Sequence, residues 1–400
     1  MTTLPQSRRV YGNELKYLKE VLETDFRSSK GAAMMNRLEE NFARRFGTEY
    51  AIAFVNGTAT MHAALEARGV RAGDEVIVPP LTMSATTFAV LQANATPIFA
   101  DVDPLTYQIS AASISERVSS RTKAIITVAL YGLSPDMDAI MLLAKKHDLF
   151  VIEDNAECFL GKYKGRMVGT LGHCASFSFQ SSKHLTSGEG GILITNDATL
   201  AENTRKVQSL GYAGVGAKKG KITKKDIQDP DYSRHVSMGW NYRMAELCAA
   251  VALAQLENID TLVSQRMKVA ELFNQSVAGC EWLVPQGVPS GDVHSYWTWV
   301  ACLARSDIEW RDFRDKFLAL GGDGIYSAWK LTYLEPMFEQ MSLLGREQFI
   351  SPAIRSTYRR GLCPVAERLQ PRLLQFKTNY WDLNDAVKQA KILKKTIESF

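Results

Sequence analysis

Short apolar segments alternate with longer helix-like segments from about residue 48 to residue 195. The segments predicted to be strands are Tyr50–Val55, Glu75–Val78, Pro97–Ala100, Lys123–Val128, Phe150–Ile152, Ala175–Phe179 and Gly191–Thr195. Helices are predicted over 58–67, 83–93 and 136–147. Strands that are apolar throughout and separated by helices indicate a mostly parallel central sheet with helices on both faces. The pattern therefore predicts an α/β fold.

The rest of the chain changes character after this alternation. A polar, lysine-rich segment over 211–235 predicts a long loop, and a helical pattern runs from Arg243 to Val277. A strand over Trp297–Ala301 and helices over 309–319 and 383–398 follow. A chain of 400 residues is long for one core, so more than one domain is expected.

We place the domain boundary inside that long helix. Residues 1–260 would form a large domain with an N-terminal helical arm, and residues 261–400 a smaller α/β domain. The sequence shows no internal repeat that would suggest a repeat architecture.

Composition excludes several classes of protein. Hydrophobic residues make up 46% and charged residues 22%, which is typical of a globular chain. The net charge of +4 arises from 47 basic and 43 acidic residues, a balance that does not indicate a nucleic-acid-binding protein. Residues 1–9 contain no apolar run of a signal peptide, and no run approaches the roughly 18 residues of a membrane helix.

The six cysteines are scattered and form no Cys-x-x-Cys pair. We interpret them as free thiols in a reducing cytoplasm, and we expect no metal site because no ligand cluster has metal spacing.

Polar residues that follow predicted strands are the first candidates for a site, because ligands of parallel sheets bind beyond the carboxyl ends of strands. Asn56-Gly57-Thr58 links a strand to a helix and could hold a phosphate, or it could be an ordinary helix start capped by Thr58. Glu153 and Asp154 follow another strand, and alternation turns them to opposite faces. One of them could pair with a cation such as a protonated ring nitrogen, or both could simply be charges that favour a helix start.

Two further segments carry polar groups at such positions. Lys183 lies between a strand and the Gly188–Gly191 turn, where a partly desolvated amine could act as a nucleophile. The alternative for Lys183 is a solvated surface cation. Asn241 and Arg243 begin the predicted long helix and could bind an anion or serve as a helix cap.

Taken in order, these segments resemble the DegT/DnrJ/EryC1/StrS family of pyridoxal-phosphate-dependent sugar aminotransferases. The resemblance covers the chain from about Gly31 and depends on several motifs, which are Asn56-Gly57-Thr58-Ala59, Glu153-Asp154, Phe177-Ser178-Phe179 with Lys183, Gly188-Glu189-Gly190-Gly191, Asn241-Tyr242-Arg243-Met244 and Cys363-Pro364-Val365-Ala366-Glu367. It implies the aspartate-aminotransferase fold, which is fold type I of the transferases that depend on pyridoxal 5'-phosphate.

The resemblance also implies roles for individual residues. Lys183 corresponds to the lysine that bonds covalently to the cofactor, and Asp154 to the partner of its ring nitrogen. The residues corresponding to phosphate ligands are Gly57, Thr58 and Ser178 from one subunit and Asn241 from the second subunit of a homodimer. Glutamate would donate the amino group, leaving it as pyridoxamine 5'-phosphate, and a keto-sugar would accept it.

Met83 and Glu157 differ from the family pattern, and His184 is a second candidate for the catalytic position. Met83 stands where many relatives have an aromatic residue, and we expect its thioether to cover the cofactor ring. Glu157 stands where a Gln or His commonly contacts the phenolic oxygen, so it should be protonated, turned away or paired elsewhere. His184 follows Lys183, and counting back from Gly188 assigns the catalytic position to Lys183 and a structural role to His184.

The acceptor is left open between two enzyme hypotheses. A nucleotide-linked keto-sugar, for a surface polysaccharide or a secondary metabolite, would be favoured if the lysines over 218–225 attracted its diphosphate, although they could equally form a solvated loop. A free cyclitol or keto-polyol would need no such cluster. Tyr326, Trp329 and Lys330 match the region where relatives contact the sugar, and Trp329 could instead belong to the core. A non-catalytic binding or regulatory protein is the third hypothesis, against which Lys183 and Asp154 argue.

Overall fold

The computed structural model describes residues 9–10, 12–27 and 31–400. The strands are β1 (Tyr50–Phe54), β2 (Glu75–Val78), β3 (Thr96–Phe99), β4 (Thr122–Val128), β5 (Phe150–Asp154), β6 (Lys162–Tyr163), β7 (Arg166–Met167), β8 (Cys174–Ser178), β9 (Gly191–Thr195), β10 (Leu283–Pro285), β11 (Thr298–Leu303), β12 (Ile325–Ser327) and β13 (Leu373–Lys377). Residues 1–8, where we expect no signal peptide, lie outside the described part.

The helices lie between and after these strands. They are α1 (Asn13–Glu23), α2 (Met34–Phe46), α3 (Gly57–Ala67), α4 (Ala85–Gln92), α5 (Ala111–Arg117), α6 (Met137–His147), α7 (Ala198–Gln208), α8 (Lys224–Gln228), α9 (Glu246–Glu257), α10 (Ile259–Val277), α11 (Trp310–Ala319), α12 (Pro336–Glu339), α13 (Pro352–Arg355), α14 (Pro364–Leu369) and α15 (Leu383–Glu398). Helix α8 lies within the segment predicted to be a long loop.

The central sheet has seven strands in the order β1-β9-β8-β5-β4-β2-β3. Strand β9 pairs antiparallel with both β1 and β8, and the other pairs are parallel. The sheet is therefore mostly parallel, and the predicted α/β fold is confirmed. Because β9 runs in reverse, its first residue lies at the edge where β1, β5 and β8 end.

Both faces of this sheet are buried, which explains why its strands are apolar throughout. In β1, Ile52 and Phe54 pack on the side of α3, whereas Ala51 and Ala53 pack on the opposite side with α2 and α9. Strand β5 divides in the same way, since Ile152 joins the first cluster and Val151 packs with α6. The alternation along each strand thus places helices on both faces.

A second, antiparallel sheet has the strand order β10-β11-β13-β12 and packs against α10, α11 and α15. The segment between Ala328 and Leu373 instead joins the core of the large sheet, and the Tyr358 hydroxyl donates to the carbonyl of Pro97 at 2.6 Å. The division at 260/261 stays a prediction.

The single helix predicted from Arg243 to Val277 is wrong. The structure has two helices, α9 and α10, that meet at Asn258 with a bend of 65°. In the part of the chain that the structure describes, no helix alone has the length and apolar character to cross a membrane. Helices α9 and α10 taken together are long and apolar enough to cross a membrane, by length and composition only. Helix α9 is largely buried in the core.

Stability should depend on pH through His294, which is buried in the loop before β11. Its Nδ1 accepts from the Tyr296 N–H at 2.9 Å and its Nε2 donates to Gln286 Oε1 at 3.0 Å, so both nitrogens are used by the neutral ring. Burial lowers the pKa of His294 to about 3. The unfolded chain binds this proton below about pH 6.5, so the folded state loses stability as the pH falls below that value.

We therefore expect His294→Asn to reduce the decline in the free energy of unfolding between pH 7 and pH 5 by about 2 kcal/mol. Chemical denaturation of both proteins across this range measures the effect. His235, which is exposed, supplies the control His235→Asn, whose decline should match the wild type. An equal decline in His294→Asn and wild type would contradict the prediction.

Candidate active site

A cavity of about 540 Å³ opens at the carboxyl edge of the large sheet. Every residue predicted to contact the cofactor, except Asn241, lines it. The lining residues are Asn56, Gly57, Thr58, Met61, Thr82, Met83, Ala85, Val128, Asp154, Ala156, Glu157, Ser178, Gln180, Ser182, Lys183, Glu189, Trp297 and Trp329. The sheet topology explains this convergence, since the ends of β1, β5 and β8 meet at one edge.

The turn between β1 and α3 forms one wall of the cavity. Asn56, not Thr58, caps the helix, because its Oδ1 accepts from the Ala59 N–H at 2.8 Å. Thr58 is therefore not needed as a cap. Gly57 passes close to β8, where a Cβ atom would lie 3.1 Å from that of Ser178. The first turn of a helix has N–H groups without intrahelical acceptors, which suits an anion.

Glu153 and Asp154 lie within β5 and turn to opposite faces, as alternation predicts. Glu153 accepts from the N–H groups of Gly169, Leu171 and Gly172 at 2.6 to 2.8 Å, so it holds a neighbouring loop. Asp154 lines the cavity and accepts from the Thr86 hydroxyl at 2.8 Å. Burial raises the pKa of Asp154, while the Thr86 hydrogen bond and the charge of Lys183 oppose the rise.

The Lys183 side chain points into the cavity and is only 11% exposed. Its Nζ lies 3.3 Å from Glu157 Oε1 and 4.3 Å from the centre of the Trp297 ring. Lys183 is therefore not a solvated surface cation, which was the alternative interpretation. A buried amine between a carboxylate and an aromatic face can hold and transfer a proton.

Of the three possibilities given for Glu157, which were protonation, an outward orientation or a partner other than the cofactor, the structure shows the last. In addition to its contact with Lys183, its Oε2 accepts from the Tyr131 N–H at 3.0 Å. Burial raises the pKa of Glu157, and the nearby Lys183 charge and the Tyr131 hydrogen bond oppose the rise.

Two arginines that the sequence did not single out hold the loop that carries Lys183. Arg266, fully buried on α10, donates to the carbonyls of Ser182 at 2.8 Å and Lys183 at 3.2 Å. Its other terminal nitrogen donates to the Trp297 carbonyl at 2.7 Å. Burial lowers the pKa of Arg266 to about 9. Arg9 donates to the carbonyls of Ser181, Lys183 and His184 on the same loop.

His184 lies on the other side of this loop from the cavity. Its Nε2 is 2.9 Å from the carbonyl oxygen of Ser295, and its ring packs beside Phe159. Burial lowers the pKa of His184, so the ring is neutral. The geometry thus gives His184 packing and a hydrogen bond, and leaves Lys183 in the cavity.

The remaining candidates lie at the rim or away from the cavity. Met83 is at the rim with 51% of its surface exposed. Trp329 lines the cavity and stacks on Trp297 with ring centres 5.8 Å apart, and Trp297 was missed by the sequence. Tyr326 and Trp329 line a neighbouring groove together with Lys377.

Asn241 and the lysines of the 218–225 segment do not reach this cavity. Asn241 is exposed and pairs with Ser209 through a backbone bridge. Lys221 donates to Glu246 at 2.7 Å, and Lys218 lies 3.8 Å from Glu49 beside a different cavity. Among the described residues, no group of three or more His, Cys, Asp or Glu side chains is placed to hold a metal ion.

Comparisons with known proteins identify the same family as the motifs. The model of the DegT/DnrJ/EryC1/StrS aminotransferase family matches residues 9–349. The chain is 40% identical over 305 residues to GDP-perosamine synthase of Escherichia coli O157:H7, covering 76% of this chain and 78% of that protein. It is 36% identical over 298 residues to the spore coat polysaccharide biosynthesis protein SpsC of Bacillus subtilis, covering 74% of this chain and 75% of that protein.

A solved structure of an aminotransferase from Psychrobacter cryohalolentis superposes with a TM-score of 0.84 and 27% sequence identity. The superposition covers 100% of this chain and 99% of that one. The superposition therefore includes both the seven-stranded and the four-stranded sheet.

The hydrogen bonds of Arg266 generate a stability prediction. Arg266→Met leaves the carbonyls of Ser182, Lys183 and Trp297 without this donor, and we expect a loss on the order of 3 kcal/mol in the free energy of unfolding. Equilibrium denaturation measures it. The control is Arg314→Met, which removes an arginine paired with Asp315 at the surface and should cost less than about 1 kcal/mol. Equal costs in the two variants would contradict the prediction.

Proposed function

The chain belongs to the DegT/DnrJ/EryC1/StrS aminotransferase family, and we propose on that basis that it transfers an amino group from glutamate to a keto-sugar. The cofactor would be pyridoxal 5'-phosphate, which becomes pyridoxamine 5'-phosphate after the first half of the reaction. The observation that carries the proposal is the position of Lys183, whose amine is held in the same buried cavity as the Asp154 carboxylate and beside the Gly57 turn.

The residues of the cavity fit this cofactor. Gly57 leaves room beside Ser178, because a Cβ atom at position 57 would lie 3.1 Å from the Ser178 Cβ. The helix start at Gly57 and the hydroxyls of Thr58 and Ser178 would hold the phosphate, and Asp154 would pair with the ring nitrogen. Met83 at the rim would cover the ring. The cavity volume of about 540 Å³ leaves room for a substrate as well.

When bound, pyridoxal 5'-phosphate supplies an aldehyde that carries the amino group and a ring that accepts electrons. The chain's own residues would supply the rest. The Asp154 carboxylate would keep the ring nitrogen protonated through charge pairing. Lys183 Nζ would take the proton from the carbon of the amino donor and return it to the carbon of the cofactor's aldehyde group, since no other amine lines the cavity in the described residues. Arg266 and Arg9 would keep that amine in place by holding its loop.

The acceptor that we favour is a nucleotide-linked keto-sugar. This choice is supported by the 40% identity to a GDP-perosamine synthase, and a role in a surface polysaccharide by the likeness to SpsC. A secondary metabolite remains the other destination of the product. Trp297 and Trp329 offer a continuous aromatic wall against which a sugar ring can pack.

A free cyclitol or keto-polyol is the second candidate acceptor. It is favoured by one observation, which is that Lys218 and Lys221 lie away from the cavity and contact Glu49 and Glu246. The lysine segment in this conformation is therefore not available to a diphosphate in the same chain's cavity.

We also propose a homodimer in which Asn241 completes the phosphate site of the partner subunit. The exposure of Asn241 and its place outside its own chain's cavity are compatible with this role. The six cysteines are all free thiols in the structure, which supports the proposal that the enzyme works in the reducing cytoplasm.

A half-reaction screen tests the proposed function. The enzyme is loaded with pyridoxamine 5'-phosphate and offered free and nucleotide-linked keto-sugars, and return of the pyridoxal chromophore reports amino transfer. We expect the nucleotide-linked sugars to react. Reaction of free keto-polyols only would favour the second candidate, and a protein with no chromophore, or one that glutamate does not convert, would be a non-catalytic binding protein.

Replacing the lysine should separate chemistry from binding. We expect Lys183→Ala to lose at least about 10³-fold in turnover, because the proton-transferring amine is gone, while still binding pyridoxamine 5'-phosphate. Steady-state assays and equilibrium dialysis measure the two properties. Substitution of Lys206, which pairs with Glu202 outside the cavity, is the control and should change neither. Wild-type turnover in Lys183→Ala would remove Lys183 from its role.

The substitution Asp154→Asn, which keeps the size of the side chain, tests the proposed pairing of Asp154 with the ring nitrogen of the cofactor. We expect Asp154→Asn to reduce turnover by about 10²- to 10⁴-fold, because the amide carries no charge to keep the ring nitrogen protonated. The fold should persist, since the Asn oxygen can accept from the Ala156 N–H while its amide group donates to the Thr86 hydroxyl. Turnover and the unfolding midpoint are measured together, and an unchanged rate in a folded variant would show that Asp154 does not act on the ring.

A further inference from the structure

Among the residues that the structure describes, Glu157 is the one buried carboxylate in contact with the Lys183 amine, and the function proposed above gives it no task. Its Oε1 lies 3.3 Å from Lys183 Nζ, and both side chains are almost fully buried. We propose that Glu157 is a catalytic proton acceptor for Lys183, with Oε1 taking a proton from Nζ and returning it. This inference rests on the proposed role of Lys183 in amino transfer.

The two oxygens of Glu157 are not equivalent. Oε2 accepts from the Tyr131 N–H at 3.0 Å, and in a protonated carboxyl group the carbonyl oxygen is the stronger acceptor. A proton on the carboxyl group therefore belongs on Oε1, which faces Lys183.

The Tyr131 N–H is held firmly in place. Tyr131 is fully buried and has a φ of 65°, a conformation that non-glycine residues seldom adopt. The backbone of Leu130 exchanges two hydrogen bonds with the Gln108 side chain, and the Tyr131 hydroxyl accepts from Gln375 at 3.1 Å. The donor that fixes Oε2 is thus built into the fold.

The proton transfer is balanced within the pair. An N–H bond of the Lys183 ammonium breaks, an O–H bond forms on Glu157, and an ion pair becomes a neutral amine and a neutral acid. The net charge of the cavity does not change, and no proton needs to enter from solvent. Burial raises the free energy of both charges of the ion pair, so the free-energy difference between the ion pair and the neutral pair is small.

Some of the groups that face Glu157 favour the transfer and others oppose it. The Asp154 carboxylate and burial both raise the pKa of Glu157, whereas Lys183 and the Tyr131 hydrogen bond lower it. Burial also raises the pKa of Cys158, and of Tyr131 well above its ordinary value, so both stay uncharged. The Trp297 ring, 4.3 Å from Lys183 Nζ, favours the ammonium and so keeps the transfer reversible.

The test compares the wild type with Glu157→Gln, which keeps the shape and an acceptor for Tyr131 but cannot take the proton. The first readout is the rate at which pyridoxal 5'-phosphate attaches to the cofactor-free full chain, followed by absorbance as a function of pH. This rate needs the neutral amine. In the wild type the pair shares one proton internally, so we expect a nearly flat profile between about pH 6 and pH 8. In Glu157→Gln the amine can exchange its proton only with solvent, so we expect the attachment rate to depend on pH across this range.

The second readout is the single-turnover reaction of the loaded enzyme with glutamate. We expect Glu157→Gln to be slower by about 10²-fold at pH 7 and to regain rate as the pH rises. Glu157→Asp keeps a proton acceptor at shorter reach, so it should be slower than the wild type but keep the flat profile. Glu202→Gln breaks an exposed pair with Lys206 and should behave as the wild type.

Each outcome decides the proposal. A uniformly lower rate in Glu157→Gln with an unchanged pH profile would show a purely structural role and overturn it. A steep profile in Glu157→Asp would also overturn it, and this comparison remains available if the glutamine variant does not fold. If the wild type fails to transfer amino groups, the proposed function fails, whereas the attachment profile still reports on Glu157.

Discussion

The site depends on holding one amine, Lys183 Nζ, almost fully buried at the wall of the cavity. Lys183 is 11% exposed, and the groups that make this position tolerable are the Glu157 carboxylate at 3.3 Å and the Trp297 ring face. An amine without these partners would be expensive to bury. The loop that carries Lys183 is therefore held from outside the cavity as well, by the guanidinium groups of Arg266 and Arg9 on its carbonyls.

Sheet topology delivers the remaining groups to this amine. Strands β1, β5 and β8 end at one edge, and the reversed β9 begins there, so the Gly188–Gly191 turn returns to the same place. Gly191 packs directly on the β1–α3 turn, since a Cβ atom at this position would lie 2.5 Å from the carbonyl carbon of Asn56. The small residues of the family motifs are thus explained by close approach of two backbone segments, in addition to any contact with a ligand.

Much of the large sheet and most of the cavity could be predicted from the sequence, because buried strands have continuous apolar runs and their ends carry the polar motifs. Trp297 and Arg266 could not be predicted in this way. Arg266 contacts Lys183 from 83 positions away, and an arginine is seldom fully buried. The bend at Asn258 was missed because α9 is apolar on all sides, so the helical pattern continues through the break. The residues between Ala328 and Leu373 gave no periodic signal, since they are mostly short helices and turns that pack on the large sheet.

Glu153 and Asp154 show why residue type alone does not assign a function. Both are carboxylates in one buried strand, and burial raises the pKa of each. Glu153 receives three backbone N–H groups, which satisfy its oxygens and bind it to the 169–172 loop. Asp154 receives the Thr86 hydroxyl and the Ala156 N–H, and it faces the cavity with Lys183 nearby. The alternation of a strand therefore separates a structural carboxylate from one that can pair with a ligand, and a shift of one residue in the register of β5 would exchange the two roles.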